Sequence, residues 1–154
     1  MRGTHVALYL ANDGELDPAP IADRLWQMNK HCYLPIVRPG ATRELWFLEY
    51  TPETVLTPNR FGIPEPDHSK ARRMPTHLLD IVLLPLVGFD RAGGRLGMGG
   101  GFYDTTFAFK QQKPRGKPVL IGLAHSCQEV EHLPLETWDI PLAAIATEKE
   151  VIQI

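Results

Sequence analysis

Apolar residues fall into short, dense runs separated by polar, proline- or glycine-rich stretches. The first run, His5 to Leu10, is apolar without strict alternation and predicts a buried strand. Asn12-Asp13-Gly14 predicts a turn. Asp17 and Pro18 then mark a helix start, with Asp17 as cap and Pro18 at the first helical position. Ile21, Leu25 and Met28 recur at helical spacing, and Ala22 and Trp26 widen that face. Cys32 to Val37 predicts a second strand, broken by Arg38-Pro39-Gly40, and Leu45 to Tyr50 a third, placed at an edge by its polar flanks. Residues 51–77 are rich in proline and charge with little periodicity, and predict a long loop holding one helical turn. Asp80 to Phe89 is the strongest strand signal, apolar on both faces as a central parallel strand would be. Phe102 to Gln112 predicts a helix. Val119 to Ala124 predicts another buried strand, and Ala143 to Thr147 a short last one whose tail pairs at an edge.

Strands that alternate with helices or long crossovers predict an α/β fold. The expected architecture is an open, mostly parallel sheet flanked by helices, one layered domain over residues 1–154. A chain of 154 residues is long enough to bury a real core. The net charge of -2 gives no basic field, so no nucleic-acid partner is expected. Apolar runs such as Ile81 to Phe89 are too short to span a bilayer, so no membrane partner is expected either. The N-terminus has no signal-peptide pattern. Cys32 and Cys127 lie far apart and form no CxxC, which predicts reduced thiols in a cytoplasmic protein, taken here as a monomer. The six histidines include no HxxxH or HExxH, so a histidine metal site is not expected.

The stretch "GRLGMGGGFYD", residues 94–104, changes the picture. It follows the strongest strand and precedes a predicted helix. Ligands of open α/β folds sit at the carboxyl ends of strands, and a glycine-rich turn lets backbone amides form a nest around an anion. Arg91 and Arg95 offer charge-assisted bonds to phosphate, and Asp104 an oxygen ligand for Mg²⁺. The spacing is neither a P-loop nor G-x-G-x-x-G. The alternative reading of the same glycines is a tight turn that packs the helix against the sheet.

Leu84-Pro85-Leu86-Val87-Gly88-Phe89-Asp90, followed by Arg95-Leu96-Gly97-Met98-Gly99-Gly100-Gly101-Phe102-Tyr103-Asp104, resembles the signature of the 5-formyltetrahydrofolate cyclo-ligase family. Asp13 to Asp17, Tyr33-Leu34-Pro35, Phe61 to Pro66, Ile121 to Ala124 and Ala146-Thr147-Glu148 resemble further family segments in the same order. The resemblance implies an ATP- and Mg²⁺-dependent ligase acting on 5-formyltetrahydrofolate. In that reaction the formyl oxygen is phosphorylated, N10 attacks the activated carbon, and phosphate leaves as 5,10-methenyltetrahydrofolate forms. Residues 95–104 then fall in the ATP-binding loop (Arg95, Leu96, Gly97, Met98, Gly99, Gly100, Gly101, Phe102, Tyr103, Asp104), with Arg95, Tyr103 and Asp104 as the catalytic set and Asp104 on the metal. Glu15, Tyr33 and Phe61 fall at the folate end, Glu15 accepting pterin N–H groups and Phe61 packing on the ring.

The family pattern carries a basic helical segment ahead of the first strand. Only Met1 to Thr4 stand there, so the chain is expected to lack that segment and its cationic phosphate contacts. Thr105 stands where many bacterial members have Arg, and Gly100 where some have Lys. Bland readings of single residues stay open: Glu15 as a solvated turn residue, Phe61 as packing, Tyr103 as core, Asp104 as a helix cap. His125 and Cys127 read as structural, with no paired acid or base. Two other functions stay open at this point, a weak folate- or nucleotide-binding protein of the same fold and a sugar-phosphate isomerase or acyl-transfer enzyme.

Overall fold

The computed structural model describes residues 4–40, 43–97 and 99–154. In chain order the elements are β1 (His5–Ala7), α1 (Ala19–Gln27), β2 (His31–Val37), β3 (Leu45–Tyr50), β4 (Leu56–Pro58), β5 (Pro64–Pro66) and β6 (Arg73–Met74). They continue with β7 (Ile81–Pro85), β8 (Gly88–Phe89), β9 (Arg95–Leu96), α2 (Phe102–Thr106), β10 (Val119–Leu123), β11 (Ala144–Ala146) and β12 (Val151–Gln153). The main sheet runs β12-β11-β10-β7-β1-β2-β3-β6. Its five inner strands, β11 to β2, are mutually parallel. β12 and β3 join antiparallel at either side. The expected open, mostly parallel α/β sheet is therefore observed.

Strand side chains alternate between two cores. Ala7, Val82, Leu84 and Leu120 point to one, where Phe107 packs. Val6, Leu8, Cys32 and Leu83 point to the other, where Ala22 and Leu25 of α1 pack. β7 is central because both of its faces are apolar, and it pairs in parallel with β1 and β10.

Several boundaries differ from the periodicity. β1 stops at Ala7, although Leu8 N–H still donates to Tyr33 O at 2.9 Å. Helix α1 begins one residue late. Pro18 is its cap, its carbonyl accepting from Ile21 and Ala22, while Asp17 Oδ1 accepts from Ala19 N–H at 2.9 Å. Only a narrow stripe of α1 meets the sheet, so Ile21 and Met28 stay exposed and Ala22, Leu25 and Trp26 pack.

The predicted strand Asp80 to Phe89 divides at Pro85. A proline cannot donate to a ladder, and beyond it the chain leaves the sheet for the two-stranded ribbon β8–β9. The predicted helix Phe102 to Gln112 is one α-helical turn followed by a 3₁₀ turn at Ala108–Gln111. The break falls where Phe107 drops fully into the core, 5.7 Å from Phe47 and 6.5 Å from Tyr103. Residues 51–77 are not one long loop. They hold the hairpin β4–β5 and strand β6, and β6 pairs with β3, so β3 is not the edge. The C-terminal tail pairs at the other edge as expected. Cys32 is buried, Cys127 is exposed, and both thiols are free. Among the described residues no helix is long and apolar enough to cross a membrane.

Candidate active site

The chain runs from β1 to β2 in one direction across the sheet, and from β7 to β10 and β11 in the other. The order therefore reverses between β1 and β7. Loops leaving adjacent carboxyl ends there must diverge, and a crevice opens between them. The crevice, about 150 Å³, is lined by Asn12, Asp13, Glu15, Val87 and Gln128.

The β1 side is built by the turn after Leu10. Asp13 and Gly14 take φ of 53° and 82°, the left-handed region that Asp tolerates and Gly favours. This brings Glu15 back over Asn12, whose N–H donates to Glu15 Oε2 at 3.0 Å. Burial pushes the Glu15 carboxyl above its ordinary range, against the Asn12 amide. Tyr9 and Tyr103 are close enough to Glu15 that, after burial, its charge further raises both hydroxyls. Tyr9 donates to Leu16 O.

The β7 side is built by the β8–β9 ribbon. Asp90, 2% exposed, folds the turn between the two strands. Its Oδ1 accepts from Ala92 N–H at 2.9 Å and Gly94 N–H at 2.8 Å, and its Oδ2 from Leu133 N–H at 2.7 Å. Gly94 is obligatory at this approach, since a Cβ there would lie 2.3 Å from Asp90 Oδ2 and 2.8 Å from Leu133 O. Arg91 does not face the crevice as an available cation. It pairs with Glu129 at 2.7 Å and Glu150 at 2.6 Å. Gln128 Nε2 donates to Leu86 O and Val87 O, each at 2.8 Å, tying the crevice floor to the segment after β10.

From this ribbon the glycine loop leads into α2. Gly99 and Gly101 have φ of 82° and 67°. At Gly97, Gly99 and Gly101 a Cβ would meet nothing within 4 Å among the described residues, so close packing against the described helix and sheet is not what those three glycines serve. At Gly100 it would meet the Phe102 ring at 2.6 Å. Among the described residues, none accepts a hydrogen bond from the amides of Gly99, Gly100 or Gly101. Leu96 is exposed, and Phe102 and Tyr103 are partly buried against the core. Met98 lies outside the described residues.

Arg95 and Asp104 are brought together, and both meet the peptide of Ile140. Arg95 Nη2 donates to Asp104 Oδ1, Arg95 Nη1 donates to Ile140 O at 2.6 Å, and Ile140 N–H donates to the same Asp104 Oδ1 at 2.9 Å. The Arg95 side chain is 8% exposed. Asp104 Oδ2 has no hydrogen-bond partner among the described residues.

Among the described residues, no hydrogen bond or ring contact joins Glu15 to Tyr33 or Phe61, the other two expected substrate residues. Tyr33 is buried in β2 and its hydroxyl bonds His5 Nδ1 at 2.8 Å. Phe61 stands 64% exposed at the tip of β4–β5, with the Arg60 guanidinium 4.7 Å from its ring centre. Its turn is organised by Asn59, whose Oδ1 accepts from Phe61 N–H at 2.8 Å and Ile63 N–H at 3.1 Å. Sequence reading missed Asn59, Asp90, Gln128 and Ile140. Asp90 and Asn59 had a usable signal, since each stands before a glycine in a turn-like stretch. Gln128 and Ile140 had none, because their roles depend on partners 36 to 45 positions away.

An open α/β sheet with a glycine-rich loop and a carboxylate turn meeting at the strand-order reversal defines an enzyme-like class that takes a small ligand at the carboxyl ends of its strands. Within it, the model of the 5-formyltetrahydrofolate cyclo-ligase family matches residues 2–148, and the chain belongs to that family. It is 46% identical over 146 residues to the 5-formyltetrahydrofolate cyclo-ligase of Escherichia coli K12, covering 95% of this chain and 79% of that protein. It is 46% identical over 138 residues to the Haemophilus influenzae cyclo-ligase, covering 90% and 72%. The solved 5,10-methenyltetrahydrofolate synthetase of Aquifex aeolicus superposes with a TM-score of 0.77 at 33% identity, covering 99% of this chain and 72% of that one.

Proposed function

We propose that this chain is an ATP-dependent ligase that closes 5-formyltetrahydrofolate to 5,10-methenyltetrahydrofolate, releasing ADP and phosphate. Family membership supports the reaction class. The observation that carries the assignment of parts is the glycine loop: among the described residues its amides at 99–101 have no acceptor, and nothing lies within 4 Å of a Cβ at Gly97, Gly99 or Gly101. Such a nest fits a polyphosphate.

The residues also fit Mg²⁺. Asp104 keeps one carboxylate oxygen without a partner among the described residues, and Mg²⁺ commonly takes one or two carboxylates plus substrate phosphates. Among the described residues no cluster of three or more acidic, His or Cys side chains forms a metal cage, which suits a cation that arrives with a nucleotide. Mg-ATP supplies the phosphoryl group that activates the formyl oxygen for attack by N10.

This chain's own residues supply positioning, which is most of what phosphoryl transfer asks of a protein. The amides of residues 99–101 hold phosphate oxygens. Arg95 holds Asp104 in place and anchors the loop to Ile140. Glu15 accepts N–H groups of the pterin across the crevice, and Tyr103 closes the wall beside it. Phe61 covers the ring from the β4–β5 tip. The same reading takes the protein as a cytoplasmic monomer whose two thiols stay reduced.

The test is formation of methenyltetrahydrofolate, followed by absorbance, with and without Mg-ATP. Product that requires Mg-ATP is the expected result. Product formed equally well without nucleotide overturns it. Tight binding of 5-formyltetrahydrofolate with no product overturns it in favour of a binding protein.

A further inference from the structure

A second cavity, about 160 Å³, opens at the far side of the same sheet end. Glu44, Trp46, Arg73, Thr76, His77 and Thr106 line it. The register places it on the carboxyl side of the parallel strands, because Trp46 pairs with Ile36 and Leu45 with Val37, at the end of β2. From β1 it is reached across β2 to β3 and β6, two to three strand spacings or roughly 10–14 Å. Helix α2 joins the two places. Tyr103 at its start lies within electrostatic reach of Glu15, and Thr106 at its end lines the cavity. Thr106 also fixes the helix to the sheet, its Oγ1 accepting from Leu45 N–H at 2.9 Å and donating to Phe102 O at 2.6 Å.

The cavity has a net cationic character. Glu44 is neutralised by Arg38 at 2.6 Å. Arg73 has no acidic partner among the described residues. Its guanidinium lies 4.3 Å from the centre of the Trp46 ring, a stack that holds the charge in place while leaving its hydrogen-bond donors available. His77 stands beside it. Trp46 also carries the one buried side-chain N–H without a partner among the described residues, and such a donor calls for an acceptor oxygen.

We infer that this cavity is a subsite for the carboxylates of the glutamate end of the folate substrate, with Arg73 as the residue that recognises them. The inference rests on the folate reading above. A reduced folate is an elongated molecule with a pterin at one end and two carboxylates at the other. A pterin on Glu15 and carboxylates on Arg73 would use both cavities. Arg73 acts in binding and is not a catalytic residue.

The experiment compares 5-formyltetrahydrofolate with 5-formyltetrahydropteroate, which lacks the glutamate, on wild type, Arg73→Glu and Arg73→Lys. Arg73→Glu is expected to raise KM for the glutamate-bearing substrate about five- to tenfold, a size suited to a rim-exposed charge. The KM of the pteroate should not move, and Arg73→Lys should recover part of the loss. Equal change on both substrates, or no change on either, overturns the subsite while leaving the folate reading intact. A change confined to KM for ATP also overturns it, and assigns the cation to nucleotide. If the wild type turns over neither substrate with Mg-ATP, the folate reading fails first and the subsite with it.

Discussion

Asp90 is a sharp test of the structure. Its carboxylate is buried and accepts three backbone N–H bonds, two on Oδ1 and one on Oδ2. In Asp90→Asn the remaining oxygen can keep Ala92 and Gly94, but the new NH₂ then faces the Leu133 N–H. One charge-assisted bond is lost and a buried donor is left unsatisfied. Hydrogen bonds to charged groups contribute ~1.5–3 kcal/mol and an orphaned buried donor costs ~1–3 kcal/mol, so a loss of about 3 kcal/mol is expected. For a chain of this size that lowers Tm by roughly 10 °C. Urea unfolding at neutral pH measures it, with an unchanged m-value as the control for the unfolded state.

The pH dependence gives a second reading of the same group. The Leu133 amide first, then those of Gly94 and Ala92 with His132 adding, hold the Asp90 carboxyl below the ordinary carboxylate range. Because its folded pKa is depressed, its stabilisation is present above the unfolded value and is lost as pH falls through the folded value. Asp90→Asn should flatten that part of the acid limb. A loss below about 1 kcal/mol with an unchanged acid limb would refute the reasoning, because it would mean the turn does not depend on the carboxylate. Since this turn launches β9 and the glycine loop, KM for ATP should rise in the same variant.

Arg95→Ala should cost about 3 kcal/mol in urea unfolding, since it breaks a largely buried pair and frees the Ile140 carbonyl; a loss under 1 kcal/mol would mean the pair does not hold the loop. The same variant should raise KM for ATP more than KM for folate. Glu15→Gln should raise KM for folate about tenfold and leave KM for ATP nearly unchanged, as expected for the loss of one charge-assisted contact. Burial places the Glu15 pKa above its ordinary value, so the wild-type folate KM should climb on acidification at a higher pH than an ordinary glutamate would give, and the Gln variant should not show that climb. Burial works against ionisation of Asp80, but Lys117 and the amides of His5 and Thr4 outweigh it and hold its pKa at about 2. Its stabilisation is therefore present above about pH 4 and lost as pH falls toward 2, and Asp80→Asn should remove that share of the acid unfolding profile.

Much of the chemistry was readable because it is local. A glycine-rich stretch between an apolar strand and an aromatic run shows its backbone freedom in the sequence alone, and the carboxylate of Glu15 stands one residue past an Asn-Asp-Gly turn. The same holds for β7, where a run apolar on both faces has little choice but the middle of a parallel sheet. The short elements were not readable. β6 is two residues long, and it covers β3 only because residues 51–77 fold back as β4–β5 and return. No periodicity exists in two residues. The early end of α2 was hidden for a related reason, since Phe107 leaves the helical register to fill a gap against Phe47 that the sequence does not show.

The division follows interaction range. The sequence by itself determined where backbone freedom, charge and continuous apolar surface lie, because those properties belong to residues and their neighbours. It therefore made legible the family, the succession of the main strands along the chain and the glycine loop between β9 and α2. Only the tertiary structure decided which charges remain available. Arg91 and Arg95 read alike beside the glycines, yet Arg91 is bound to Glu129 and Glu150, and Arg95 to Asp104 and Ile140. Arg73, unremarkable in the sequence, is the arginine left beside a cavity without an acidic partner among the described residues. Ion pairing depends on separations in space of a few ångströms between groups tens of residues apart, and that distance is set by the fold alone.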